Sequence, residues 1–120
     1  MIADGYNNED FCYLTTTGRV TGNPHEIEIW FAIEGGTLYM LSGGGDRSDW
    51  VKNLRANPSV TVRIAGDTFA ASARVVETGE EDELARDLLV EKYERTPGSL
   101  SNWRARALPI AVHLNAQADS

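Results

Sequence analysis

His25-Glu26-Ile27-Glu28-Ile29-Trp30-Phe31 is followed three residues later by Gly35-Gly36, and then by Thr37-Leu38-Tyr39-Met40-Leu41-Ser42. The first run alternates strictly. Glu26, Glu28 and Trp30 fall on one side and Ile27, Ile29 and Phe31 on the other, the period of a half-buried strand. Paired glycines between two strand-like runs mark a tight hairpin, because both central residues of such a turn take positive φ. The first half of the chain is therefore antiparallel.

Outward from this hairpin the pattern repeats. Phe11 to Thr17, Ser59 to Ile64, Thr68 to Val76 and Leu108 to Leu114 read as further strands. Turns lie at Gly18 to Pro24 and at Ala65-Gly66-Asp67. Asp46 or Ser48 can cap a short helix that ends at Asn57-Pro58 and puts Trp50, Val51 and Leu54 on one face. Thr78 and Glu81 have capping-box spacing ahead of a helix with Leu84, Ala85, Leu88, Leu89 and Tyr93 as its apolar stripe. Thr96-Pro97-Gly98-Ser99 breaks that helix before a short segment with Trp103, Arg104 and Arg106. About six strands and two or three short helices, with no repeated strand–helix–strand unit, exclude a doubly wound sheet. They predict an α+β fold, mainly β: a small antiparallel barrel with helices over its openings. The expected organisation is a loose arm at 1–10, one domain at 11–115 and a tail at 116–120.

The 120 residues fit one core, and the net charge of −7 argues against a nucleic-acid-binding face or a polybasic lipid anchor. No apolar run approaches membrane-spanning length and the first ten residues are polar, so a cytoplasmic protein without stable membrane insertion is expected. Cys12 is the only cysteine, which excludes an intrachain disulfide and makes a packed thiol the simpler reading. Two histidines and no thiolate pair give poor supply for zinc, and Ile29 stands where a zinc helix would need its second histidine. No Gly-x-Ser-x-Gly elbow, P-loop or dinucleotide fingerprint is present. No metal is expected.

Leu41 to Arg55 is the stretch richest in chemistry. A strand enters Gly43-Gly44-Gly45, and a helix leaves them. Glycines allow close approach of another molecule, and a helix N-terminus favours an anion, so a phosphate-bearing ligand fits. Arg47 and Arg19, each beside glycines, are the cations best placed to reach a phosphate, although surface arginines commonly pair with nearby acids. Trp50 and Asn53 share a helix face and can wall a flat ring or simply pack. Glu26 and Glu28 beside Trp30 are either solvated positions or one side of a pocket.

The run Leu14-Thr15-Thr16-Thr17-Gly18-Arg19-Val20-Thr21-Gly22-Asn23-Pro24 resembles the leucine, threonines, Gly-Arg-Lys-Ser-Gly-x-Pro signature of the deazaflavin-dependent nitroreductase family. Trp30-Phe31, Gly43-Gly44, Trp50-Val51-Lys52-Asn53-Leu54, Ala56-Asn57-Pro58 and Val60-Thr61-Val62 follow in the family's order, so the resemblance covers roughly residues 11 to 93. It implies a split β-barrel like that of pyridoxamine-phosphate oxidases and small FMN proteins. It also implies a hydride-transferring reductase using coenzyme F-420, a deazaflavin with a phosphate and a polyglutamate tail. The acceptor would be a quinone, a nitro compound or an enone. By this resemblance Thr16, Thr17, Gly18, Arg19, Thr21, Gly22, His25, Ser42, Gly43, Gly44, Gly45, Arg47, Trp50 and Asn53 would hold the cofactor. Trp30 and Trp103 would line the substrate pocket. His25, Glu26 and Glu28 are candidate proton donors, beside solvent. Split barrels commonly pair, so a homodimer is expected. Val20 and His25 depart from the lysine and arginine usual in the family and remove positive charge. FMN in place of F-420, or a non-catalytic binding protein of the same fold, are the alternatives.

Overall fold

The computed structural model describes residues 2–77 and 79–115. Seven strands form one antiparallel sheet: β1 (Cys12–Thr17), β2 (Pro24–Ile29), β3 (Ala32–Glu34), β4 (Thr37–Ser42), β5 (Ser59–Ile64), β6 (Asp67–Val75) and β7 (Leu108–Leu114). Their order is β2-β1-β5-β6-β7-β4-β3. Three helices accompany them, α1 (Asp49–Ala56), α2 (Glu80–Tyr93) and α3 (Ser101–Arg106).

The edge strands β2 and β3 are neighbours in the chain, joined only by Trp30 and Phe31. The sheet therefore curls until its two edges approach, and these two residues cross the seam. This corrects the single strand expected over His25 to Phe31. The alternation runs on unbroken, but β2 pairs with β1 and β3 with β4, so ladder pairing stops at the crossing. One expected strand becomes two, which accounts for seven rather than six. Gly35 and Gly36 both take positive φ, 59° and 84°, between the paired Glu34 and Thr37. That is the two-residue turn whose twist matches its flanking strands.

The interior is filled by Leu14, Phe31, Leu38, Met40, Val62, Ile64, Ile110 and Val112, with Val51 and Leu54 of α1 closing one end. A second apolar layer lies outside the sheet, where Tyr39, Leu41 and Ala111 meet Ala85, Leu89 and Tyr93 of α2. Strand β4 thus has both faces covered, which explains its unbroken apolar run. Helix α2 packs on the sheet's outer face and does not cover an opening; the expectation of helices over the openings holds for α1 alone. The proposed capping residue Thr78 lies outside the described residues, and α2 begins after Gly79 without a side-chain cap.

The expected loose arm is also corrected. Residues Ile2–Asn8 form 3-10 turns. Asn7 Oδ1 accepts from the Ile33 amide at 2.9 Å, Tyr6 packs edge-on against Phe69 at 5.7 Å, and its hydroxyl donates to Asp67. The tail, 116–120, lies outside the described residues.

At the seam Phe31 has lost its ladder partners, and Tyr93 replaces them. The Phe31 amide donates to Tyr93 Oη at 3.0 Å, and the hydroxyl proton lies between the carbonyls of Asp10 (2.7 Å) and Phe31 (2.9 Å). Burial pushes the Tyr93 phenol up to about 12, so the clamp stays protonated. Lys92 Nζ also donates to the Phe31 carbonyl, at 2.8 Å, and sits 3.9 Å from the centre of the Phe31 ring. Burial lowers Lys92 to about 8 against the opposing pull of Asp10. Cys12 is fully buried, and burial pushes its thiol up to about 12, consistent with a packing role.

Arg74 of β6 fixes α2 to the sheet. It donates twice to Glu81, at 2.9 and 2.7 Å, and Tyr39 Oη adds a third bond at 2.8 Å. The Arg74 bond holds the Glu81 carboxyl below its usual value, with Tyr39 assisting against desolvation. A depressed folded value means the unfolded chain takes up this proton first. The stability Glu81 contributes is then intact above about pH 4.3 and is lost as pH falls through the folded value. Urea unfolding at pH 7 and pH 3 should show a smaller acid loss in Glu81→Gln than in the wild type.

Candidate functional site

Two depressions lie along β2. The first, of about 430 Å³, is lined by Gly18 to Thr21, His25 to Ile27, Asp49, Trp50 and Asn53. The second, of about 530 Å³, is lined by Glu28, Ile29, Trp30, Leu41, Leu100 and Trp103. Consecutive residues of one edge strand thus pass from the first into the second.

The turn beneath the first cleft is shaped by local bonds. The Gly18 amide donates to the Asn23 carbonyl at 2.7 Å and Gly22, at φ 80°, donates to Gly18 at 2.8 Å. The His25 ring lies over Gly18 so closely that a Cβ there would fall 2.7 Å from Nε2. Asn53, buried on α1, ties the turn down. Its Oδ1 accepts from the Arg19 amide (3.2 Å) and Arg19 Nη1 (2.8 Å), and its Nδ2 donates to Thr16 Oγ1 (3.2 Å). Arg19 Nη2 turns to Asp49 at 3.4 Å.

The three glycines differ in what the chain requires of them. Gly45 has φ 60°, and a Cβ on Gly44 would collide with Ser48 Oγ at 2.5 Å. Gly43 is different. A Cβ there would meet only the Trp103 ring, at 3.8 Å, an ordinary contact. The fold does not need this glycine, and its bareness leaves room beside Trp103. Ser42 Oγ donates to the Gly45 carbonyl at 3.1 Å and pairs with Ser48 Oγ at 2.8 Å. Ser48 is the N-cap of α1 by position but makes no side-chain cap bond, nor does Asp46, which pairs with Arg55. The first amides of α1 are therefore left without a side-chain acceptor, beside Asp49 and Trp50 in the cleft wall.

In the second depression Trp30, 42% exposed, stacks on Tyr93 with ring centres 4.3 Å apart and planes 1° from parallel. Trp103 meets Trp30 edge-on at 5.6 Å. The two indoles form a right-angled apolar corner. Helix α3, which carries Trp103, is held to α2 by Arg104, paired with Glu83 at 2.9 Å and with Asp87, while Arg86 donates to the Arg104 carbonyl. Glu28 at the pocket edge accepts from Tyr13 Oη at 3.1 Å, a bond that raises the Tyr13 phenol above its usual value. Glu26 pairs with Arg63 at 3.2 Å.

Of the sequence-derived site residues, the structure brings Gly18, Arg19, Thr21, His25, Glu26, Trp50 and Asn53 into the first cleft. Glu28, Trp30 and Trp103 line the second, with Gly43 beside Trp103. Thr17 and Gly22 line a separate depression with Pro24 and Ser59. Thr16 and Ser42 are buried; the Thr16 hydroxyl accepts from Asn53 and its residue lines that same depression, and the Ser42 hydroxyl is bonded to Gly45 and Ser48. Sequence reasoning missed Ile29, Leu41 and Leu100 as pocket walls and Tyr93 as the support of Trp30. An apolar residue gives no local sign of lining a pocket, and Tyr93 read as one more member of a helical stripe.

This curled sheet with its open seam, and a polar cleft and an aromatic pocket on one edge, defines a split β-barrel. A Listeria innocua structure of the pyridoxamine 5'-phosphate oxidase type shares it, with TM-score 0.72 and 20% identity over 96% of this chain and 91% of that one. The chain belongs to the F420H(2)-dependent quinone reductase family, whose model matches residues 2–115. The F420H(2)-dependent quinone reductase Rv1261c of Mycobacterium tuberculosis is 30% identical over 105 residues, covering 82% of this chain and 69% of the relative. The structure of an F420-H2 dependent reductase, FDR-A, matches with TM-score 0.70 and 25% identity over 88% of this chain and 94% of that one. The expected oxidoreductase class and coenzyme F-420, in preference to FMN, agree with this membership. Among the described residues no helix is long and apolar enough to cross a membrane.

Proposed function

We propose that this chain passes hydride from reduced F-420 to a quinone, with ring and acceptor meeting in the Trp30–Trp103 pocket and the ribityl-phosphate chain lying along β2 in the first cleft. The carrying observation is that one edge strand walls both depressions. From Glu26 to Trp30 a strand covers about 13 Å, room for a flat ring at one end and a polar chain at the other. Nitro compounds and enones, which like quinones present a conjugated electrophilic group, are the secondary acceptors.

The residues present fit such a coenzyme. Right-angled indoles offer one face and one edge to flat rings. Bare Gly43 leaves space beside them, and the uncapped start of α1 offers amides to a phosphate. When bound, the reduced deazaflavin supplies the hydride, so the protein need only bind and orient. Trp30, held flat by Tyr93, and Trp103 exclude water from one side of the acceptor. The pocket is open beside Glu28, which already accepts from Tyr13, and solvent there delivers the proton. His25, in the first cleft, stands on the phosphate side, away from the acceptor. Arg47 is exposed on the glycine turn, with no side-chain bond among the described residues, and is assigned to the phosphate.

The test is Arg47→Ala. Loss of a charge-assisted bond of about 1.5–3 kcal/mol should raise the Kd for F-420 about tenfold or more, with the melting temperature unchanged. Wild-type affinity in the folded variant removes Arg47 from the site. A cytoplasmic location and a homodimer complete the proposal. The dimer is supported by an aromatic pair at the start of β1, exposed Phe11 and half-buried Tyr13, 5.8 Å apart. Sedimentation equilibrium should give twice the chain mass.

A further inference from the structure

We infer that this chain recognises its deazaflavin through ring and phosphate and is indifferent to the polyglutamate tail, so that forms carrying few or no glutamates bind as tightly as the long-tailed coenzyme. The inference rests on the cofactor assignment above.

What decides this is charge in the first cleft, which takes the ribityl-phosphate chain in that assignment and along which a tail would run on. Its lining holds one permanent cation, Arg19, and two carboxylates, Glu26 and Asp49. Arg19 is not free. Its amide and Nη1 are bound by Asn53, and Nη2 faces Asp49. At the mouth stands Val20, 88% exposed, a side chain that offers an anion nothing. Two nearby cations are engaged elsewhere. Arg55 pairs with Asp46 at 2.9 Å and reaches Glu77 at 4.0 Å, and Arg63 pairs with Glu26. Arg47, outside the lining, is assigned to the phosphate itself, and Lys52 does not line the cleft. An oligoglutamate adds one carboxylate per residue. Each would lie along a wall whose two acids already have arginine partners, Asp49 with Arg19 and Glu26 with Arg63, on a chain whose net charge is −7. Opposite charges in water attract weakly and like charges repel as weakly, so added glutamates gain nothing and lose little.

The experiment titrates the full chain with phosphate-bearing deazaflavin carrying no glutamate, a single glutamate, or a long oligoglutamate, by tryptophan fluorescence at low and high salt. The expected Kd values agree within about threefold, and their ratio does not move with salt. Val20→Lys, at a site too exposed to disturb packing, should tighten the long-tailed form at low salt by about threefold or more beyond any tightening of the tail-less form. Tenfold or greater tightening with tail length in the wild type, weakened by salt, overturns the inference and leaves the cofactor assignment standing. Failure of all three forms to bind overturns both.

Discussion

Tyr93→Ala should lower the unfolding free energy by about 3–5 kcal/mol, the range for loss of a large buried aromatic side chain. Packing is only part of its role. Tyr93 lies at the seam, where ladder pairing stops, and its hydroxyl takes the Phe31 amide and serves the Asp10 and Phe31 carbonyls. Tyr93→Phe isolates that role. It keeps the ring stacked on Trp30 but leaves a buried amide without an acceptor, which costs about 1–3 kcal/mol. Chemical denaturation should rank wild type above Tyr93→Phe and Tyr93→Ala last. If Phe matches wild type, the hydroxyl clamp is not what holds the seam.

Trp103→Ala should reduce kcat/KM for quinone reduction by about tenfold to a hundredfold, equivalent to about 1.4–2.8 kcal/mol of transition-state binding. The expectation follows from the corner that Trp30 and Trp103 form at 5.6 Å. Removing the indole opens the pocket to water and leaves the acceptor free to tilt. Helix α3 should survive the change, since Arg104 and Arg86 tie it to α2 without the indole. The melting temperature should therefore fall far less than in Tyr93→Ala, and F-420 affinity should change less than turnover. Steady-state kinetics with one quinone, alongside thermal melts, separates these outcomes. An unchanged kcat/KM removes Trp103 from the acceptor pocket.

Much of this architecture is legible in the chain, and the failures share a physical cause. Strands β4, β5 and β7 match their expected limits because runs of β-forming residues bounded by turn or loop residues are local signals. The break at Trp30-Phe31 is invisible because alternation describes facing, whereas the break concerns which strand is the partner. That is decided by curling of the whole sheet. Residues Ile2–Asn8 look like an arm because their anchors, Asp67 and Ile33, are remote in sequence. The site shows the same division. Gly18, Arg19, His25, Trp50 and Asn53 come together as their motifs implied. The hydroxyls of Thr16 and Ser42 each have a partner inside the fold, Thr16 accepting from Asn53 and Ser42 donating to the Gly45 carbonyl, and no spacing rule reports such bonds. Gly43 is the reverse case. Only the local geometry separates it from Gly45, whose positive φ the turn itself demands, and from Gly44, which faces the Ser48 hydroxyl.

The central claim is that the β2 edge holds a deazaflavin. The most direct test is titration of the wild-type chain with F-420 and FMN side by side, read by quenching of tryptophan fluorescence, since Trp50, Trp30 and Trp103 all line the two depressions. The account predicts saturable quenching by F-420 at a Kd at least about tenfold below that for FMN, a preference of about 1.4 kcal/mol. Equal or tighter binding of FMN, or no quenching by F-420, would contradict it.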